Sequence, residues 1–293
     1  MPVYTGIFIL PFTFIPALGQ ATKNNKQDMQ KMPKVVVKPD TLNDVNADYL
    51  QQALRHPVFL NSVPKCGTHL IKNIFRMFVP VEQQYHKTFI QYPVIRQHLD
   101  AFSADKPYLS WGHLLFSDES AIALKNVQQI IVVRDPYDWV LARARFFLSD
   151  SFQGSMEHLK NGKITIEQML NMMIFGIYQK APTLNEIFTH NAVAWLGTGV
   201  KLVKYEDIVR NLKRLDTPEA ETFFTDLLSV LGLTTLPEDW RERVKVGSDR
   251  KQSGTSRENL AGIELNIPDQ LPDMQKQMVE YAAPGLRRLL GYF

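Results

Sequence analysis

Four consecutive β-branched residues, Ile130-Ile131-Val132-Val133, constrain this chain more than any other feature. A strand that does not alternate apolar with polar positions is buried on both faces, and such strands belong to parallel sheets covered by helices. The run ends in Arg-Asp-Pro-Tyr-Asp, and Trp139 to Leu148 then reads as a helix. A similar unit lies upstream. The stretch "PVFLNSV", residues 57–63, is short, apolar and opened by a proline, which predicts a strand. After it Leu70, Ile71, Ile74, Phe75 and Phe78 recur at helical spacing while Lys72, Asn73 and Arg76 occupy the other side, which predicts a helix with one buried face. Further strands are expected near Leu109 and Leu202, and helices between Ile164 and Leu196, where the methionines read as core. The fold class that follows is α/β, a mostly parallel sheet flanked by helices on both faces.

The loop "PKCGT", residues 64–68, joins the first strand to its helix. Unpaired backbone N–H groups and the positive end of the dipole at a helix N-terminus favour an anion. Lys65 and the Thr68 hydroxyl add donors, and Gly67 lets the backbone approach closely. Any α/β protein also turns a corner in this way, so a phosphate or sulfate site and a plain turn both stand open here. The triphosphatase loop needs its lysine after the second glycine. Lys65 precedes Gly67, which argues against an ATPase or kinase of that type.

At 293 residues, 45% hydrophobic and 22% charged, the chain has the composition of an ordinary globular protein with a full core. A net charge of +3 suits an anionic small ligand and is too slight an excess to argue for nucleic acid. Cys66 is the single cysteine, so no intrachain disulfide and no cysteine-based zinc site can form, and a reducing compartment is expected. No carboxylate cluster with metal-ligand spacing is evident, and no metal is expected. Residues 1–22 carry no charged side chain and approach the length that spans a bilayer, but Pro11 and Pro16 interrupt the run and no basic region precedes it. It is read as an apolar arm with a polar linker, residues 1–34, before one domain at 35–293. Were it to insert, Lys23, Lys26, Lys31 and Lys34 would keep the domain cytoplasmic.

Arg134 stands at the carboxyl end of its strand, where open α/β sheets bind ligands. The bland alternative is an ion pair with Asp135 or Asp138. "VKLVKYEDIV" is a further strand exit, with Tyr205, Glu206 and Asp207 at the turn. "VGSDRKQSGTSREN" gathers Arg250, Lys251 and Arg257 among small residues, as a loop that closes over an anion does and as many solvated loops do. Phe146, Phe147, Phe152, Phe175 and Tyr178 are equally an acceptor pocket or core.

Taken in order, these segments resemble the sulfotransferases that use 3′-phosphoadenosine 5′-phosphosulfate (PAPS). "VPKCGTHLI" is similar to the family's P-K-[ST]-G-T-[TS] loop for the 5′-phosphosulfate, "VVRDPYDWVLA" to its V-x-R-[DN]-P segment for the 3′-phosphate, and "LVKYEDI" to L-x-Y-E-D-L, whose tyrosine lies near the adenine. "DRKQSG" is a degraded form of R-K-G-x-x-G, and "LRRLLGYF" is similar to the family's L-G-Y ending. The resemblance runs from about His56 to the C-terminus. It implies a P-loop-like sulfotransferase fold and transfer of a sulfuryl group to a hydroxyl or amine of a small-molecule acceptor, leaving adenosine 3′,5′-bisphosphate (PAP). It also implies donor contacts from Lys65, Cys66, Gly67, Thr68, His69, Arg134, Tyr205, Arg250 and Lys251, with Lys65 acting in catalysis as well. "YLSWGHLLF" is similar to the family's K-T-H-L segment, which makes His113 the catalytic base; His69 is the competing candidate.

The departures are specific. Ala142 stands where the family has a serine for the 3′-phosphate, Leu70 where many relatives have a tryptophan, Trp111 at the lysine of K-T-H, and Gln252 at the first glycine of the last motif. A nucleotide or metabolite kinase, a carbohydrate sulfotransferase and a non-catalytic nucleotide-binding module are the alternative readings.

Overall fold

The computed structural model describes residues 6–7, 34–153, 157–160, 162–255 and 266–293. Most of the apolar arm and linker, and Arg257 in the late basic loop, lie outside the described residues.

Five parallel strands form the main sheet: β1 (Val58–Ser62), β2 (Ile90–Gln91), β3 (Leu109–His113), β4 (Gln128–Val133) and β5 (Lys201–Lys204), in the order β2-β3-β1-β4-β5. Asn61 of β1 lies between Gly112 of β3 and Ile131 of β4, and Ile131 in turn faces Leu202 of β5. The four expected strands are present, with the β-branched run of β4 wholly buried. Those four side chains contribute on the order of 6–12 kcal/mol of apolar burial, at about 1.5–3 kcal/mol each. The short edge strand β2 has no periodic signature. Its place is fixed by Gly112, at which a Cβ would stand 1.9 Å from Ile90 O, so only glycine lets β2 approach β3 there.

Seven helices matter to the site and its support: α1 (Thr68–Arg76), α2 (Pro136–Leu148), α3 (Ile166–Phe175), α4 (Leu184–Asn191), α5 (Tyr205–Leu212), α6 (Trp240–Ser248) and α7 (Asp273–Ala282). Met169 and Met173 of α3 are core. Helix α2 begins three residues before the expected Trp139, because Asp135 caps it by accepting from the Tyr137 N–H at 3.0 Å and Pro136 presets its first turn. A small antiparallel sheet joins Gly6–Ile7, Lys34–Val35 and Phe152–Gln153.

Helix α1 corrects one expectation. Its polar side is buried as well: Asn73 and Arg76 are 1% and 4% exposed. Arg76 donates to Asp40 at 2.9 Å, to Asn43 at 2.7 Å and to Gln84 at 3.0 Å, and α6 packs along the helix. A buried guanidinium is tolerable only when its donors are met in this way.

From β1 the chain runs out to β2 and returns at β3, and it then passes to the other side of β1 for β4. The strand order reverses at β1 and β4, so the crevice at their carboxyl ends is where a ligand is expected in an open parallel sheet.

Candidate functional site

The loop leaving β1 is held in an unusual conformation. Lys65 has a positive φ of 69° and Gly67 one of 93°, and the N-terminus of α1 carries no side-chain cap. The first amide of the helix to find a backbone acceptor is that of Ile71, which donates to Gly67 O at 3.1 Å. The amides of Thr68, His69 and Leu70 thus form the open positive end of α1. The Cys66 amide is spent within the turn, on Val63 O at 3.1 Å, and its thiol is fully buried, which pushes its pKa up. Cys66 is therefore a packing residue of the loop. Trp139 of α2 pins the loop from outside, donating its indole N–H to Pro64 O at 2.6 Å. The Lys65 ammonium lies 4.0 Å from the ring centroid of Phe146, which itself packs with Phe147 and Phe152. Those three phenylalanines are core beneath the loop, while Phe175 and Tyr178 are exposed.

Across the crevice, Tyr205 opens α5 and lays its ring on the loop. A Cβ at Gly67 would meet Tyr205 Cδ2 at 2.4 Å, so the glycine is required both for its φ and for this contact. The guanidinium of Arg134 covers the same ring at 4.7 Å. Arg134 forms no ion pair with Asp135 or Asp138 among the described residues; Asp135 is held by Arg287, at 3.1 and 3.0 Å. Buried Arg134 Nε has no hydrogen-bond partner. A buried orphan donor on a cation is costly unless something meets it, and it marks a place where an anion fits.

His113 ends β3 and is placed by its neighbour strand. Asn61, polar and fully buried in an otherwise apolar strand, donates to Leu114 O at 3.0 Å and accepts from the Leu114 N–H at 2.9 Å. His113 Nδ1 lies 2.9 Å from Ser62 O. A carbonyl only accepts, so Nδ1 carries the proton and Nε2 is left as the basic nitrogen. Ser62 Oγ, 3.1 Å from Nδ1, also lies 2.6 Å from Thr68 Oγ1, which ties the imidazole to the first residue of α1. Burial lowers the His113 pKa to about 4, the Ser62 carbonyl opposing it in part and Lys65 adding to it, so the ring is neutral at pH 7. Phe89 packs on the ring at 4.7 Å. His69 is also driven well below its ordinary pKa, by burial first and then by Lys72, and its buried Nδ1 has no partner.

The late basic turn reaches α1 instead of Arg134. Asn73 donates to Gln252 O at 2.9 Å, and a Cβ at Gly254 would stand 3.4 Å from His69 Cε1. Arg250 and Lys251 are exposed on this turn. The structure thus groups Lys65, Gly67, Tyr205 and Arg134 on one side, and Ser62, Thr68 and His113 on the other. Arg250 and Lys251 sit on the turn whose Gln252 carbonyl meets Asn73 of α1. Ser62, Asn61, Trp139 and Arg287 were not singled out from the sequence. Asn61 could have been, as the one amide in an apolar run. Among the described residues no group of three or more His, Cys, Asp or Glu side chains is arranged to hold a metal ion, and no helix is long and apolar enough to cross a membrane.

No family model and no curated protein matches the chain. Solved structures do. Retinol dehydratase, in complex with androsterone and the inactive cofactor PAP, is similar at 15% identity over 85% of this chain and 83% of that one, with a TM-score of 0.42. A sulfotransferase from Alicyclobacillus acidocaldarius is similar at 11% identity over 81% and 96%, with a TM-score of 0.45. The mouse sulfotransferase SULT7A1, complexed with PAP, is similar at 13% identity over 84% of this chain and 88% of that one, with a TM-score of 0.50. With its five-stranded parallel sheet and surrounding helices, the chain therefore has the fold of a sulfotransferase.

Proposed function

We propose that the chain transfers a sulfuryl group from PAPS to a hydroxyl or amine of a small-molecule acceptor. The observation that supports this reading most is Arg134, whose buried Nε is unpartnered at the strand exit while its neighbouring carboxylate is engaged elsewhere. A cation kept open at that position suits the phosphate that distinguishes this donor, the one on the 3′ side of its ribose. The residues also fit the rest of it. Open amides and Lys65 stand at the 5′ end, and the Tyr205 ring offers a face beside the loop.

The donor supplies an activated sulfuryl group and a phosphate leaving group. In this reading the acceptor's proton passes to His113 Nε2 as its oxygen or nitrogen bonds to sulfur, a role worth about 10²–10⁴ in rate. The S–O bond to the 5′-phosphate breaks, and Lys65 with the α1 amides stabilises the charge arriving on that oxygen. Arg134 takes the 3′-phosphate, with Thr68 and His69 at the 5′ end, while the exposed Arg250 and Lys251 stay on the turn packed against α1. Cys66 contributes shape to the loop. We also place the chain in the cytoplasm, on the lysines that follow the apolar N-terminal run.

Thermal unfolding with PAP and with adenosine 5′-monophosphate (AMP) tests the donor assignment, because a ligand that binds only the native state raises Tm according to its affinity. PAP should stabilise far more than AMP. Equal effects, or stronger stabilisation by magnesium-ATP, overturn the reading in favour of a kinase. Radiolabelled donor offered with a panel of phenols, alcohols, amines and sugars then identifies the acceptor, and label on sugars alone would make it a carbohydrate sulfotransferase.

A further inference from the structure

Two carboxylates share the turn that carries Arg134. Asp135 follows it in the chain, and Glu206 reaches the same turn, where its Oε1 accepts from the Asp135 N–H at 3.0 Å. Left to themselves, both would compete with an incoming anion for Arg134. Both are instead bound by the end of the chain. Arg287 donates from Nε and Nη2 to the two oxygens of Asp135 at 3.1 and 3.0 Å, a bidentate pair that fixes the carboxylate's plane as well as its charge. Tyr292 donates its hydroxyl to Glu206 Oε2 at 2.8 Å. The segment is itself anchored. The Arg287 guanidinium stacks on Tyr137 at 3.9 Å, Tyr137 donates to Glu280 at 2.7 Å, and Lys204 donates to Gly291 O at 2.6 Å. Arg134, relieved of both carboxylates, lies on Tyr205 with its buried Nε open.

We infer that the segment from Leu286 to Tyr292 is a specificity device of the nucleotide site: Arg287 and Tyr292 hold Asp135 and Glu206 off Arg134, so that a ribose phosphate and no internal carboxylate receives the guanidinium. Arg287 and Tyr292 are positioning residues, acting through Arg134. The inference rests on the donor reading above and goes beyond it, because it assigns the nucleotide preference to contacts made by residues that touch no donor atom.

The pair at Asp135 allows a test that separates positioning from plain stability. Arg287→Met keeps an aliphatic stem on Tyr137 and removes the charge. Asp135→Asn keeps a side-chain oxygen to cap α2 and removes the carboxylate that would turn on Arg134. Calorimetric titration of PAP and AMP into wild type, each single variant and the double variant gives the ratio of the two affinities. Arg287→Met should cut the preference for PAP at least tenfold with AMP affinity within about twofold of wild type. The double variant should restore the preference to within about threefold, and the milder Tyr292→Phe, which keeps the ring, should reduce it a few-fold. A wild type that binds both nucleotides equally overturns the donor reading and the inference with it. A wild type that prefers PAP, with Arg287→Met showing the same ratio or with no recovery in the double variant, overturns the inference alone.

Discussion

Acidification should expose how His113 is held. Its ordinary pKa of 6.5 is lowered to about 4 in the fold, chiefly by burial, so between those values the unfolded chain carries a proton that the folded chain refuses. The unfolded state binds more protons there, and stability must fall as pH falls. At about 1.4 kcal/mol for each tenfold change in proton affinity, His113 contributes roughly 3 kcal/mol, present above pH 6.5 and lost by about pH 4. The ring's residual exposure trims that figure. His86, lowered to about 4, and His69, held well below its ordinary pKa, act in the same direction, each chiefly through burial. Urea unfolding between pH 6.5 and 4.5 should therefore show stability falling by up to about 4 kcal/mol per pH unit as three protons are taken up. His113→Gln should remove one proton, about 1.4 kcal/mol per pH unit, from that slope. Proton NMR of the imidazole Cε1–H signals identifies the one lost in the variant. A midpoint near 6.5 for that signal, or equal slopes in the two proteins, would refute a His113 ring held neutral by burial.

Three further outcomes follow from the geometry. Asn61→Leu leaves Leu114 N–H and C=O without partners in a buried position, so denaturant unfolding should show a loss of about 2–4 kcal/mol. Gly67→Ala should cost about 1–2 kcal/mol for its left-handed backbone and more for the clash with Tyr205, and Tyr205→Ala in the same chain should recover the second part only, as read by the Tm of single and double variants. His113→Ala should lower turnover by 10²–10⁴ with nucleotide affinity unchanged, while Lys65→Ala should harm both, and the reverse pattern would reassign the two residues.

The strands at Val58, Leu109, Ile131 and Leu202 were legible because an apolar run at a strand interior has few other uses. The edge strand Ile90–Gln91 was not, since two residues carry no period and their place depends on Gly112 of another strand. The polar face of α1 misled for a physical reason. Helical periodicity reports where apolar residues go, and it is silent on whether Arg76 will find Asp40, Asn43 and Gln84 to accompany it inside. At the site, the turn between β1 and α1 was readable from Gly67 ahead of a helical pattern. His113 stood out from the other histidines only through family resemblance, because what orients its ring is the carbonyl of Ser62, a group every residue possesses. The expected alternative of an Arg134–Asp135 ion pair fails because Arg287, 152 positions away from Asp135 along the chain, holds that carboxylate. Contacts of that separation leave no local trace.

The departure at Trp111 gains meaning from the same helix. Strand alternation puts Trp111 and His113 on one face of β3, two residues apart. The cation that the resembling pattern has at that strand position is not missing from the neighbourhood. Lys72, one turn along α1 from Thr68, brings its ammonium to 5.4 Å from the Trp111 ring centroid, and His86 meets the same indole edge-on at 5.8 Å. The nearby carboxylate of Asp40 is already bound by Arg76 at 2.9 Å. Burial therefore dominates at Lys72, with repulsion from Arg76 next, and lowers its pKa to about 8. An arginine or an exposed lysine would keep its charge at every physiological pH. The Lys72 cation fades as pH rises through about 8, so the charge facing the Trp111 indole comes from a group that is itself close to neutralisation.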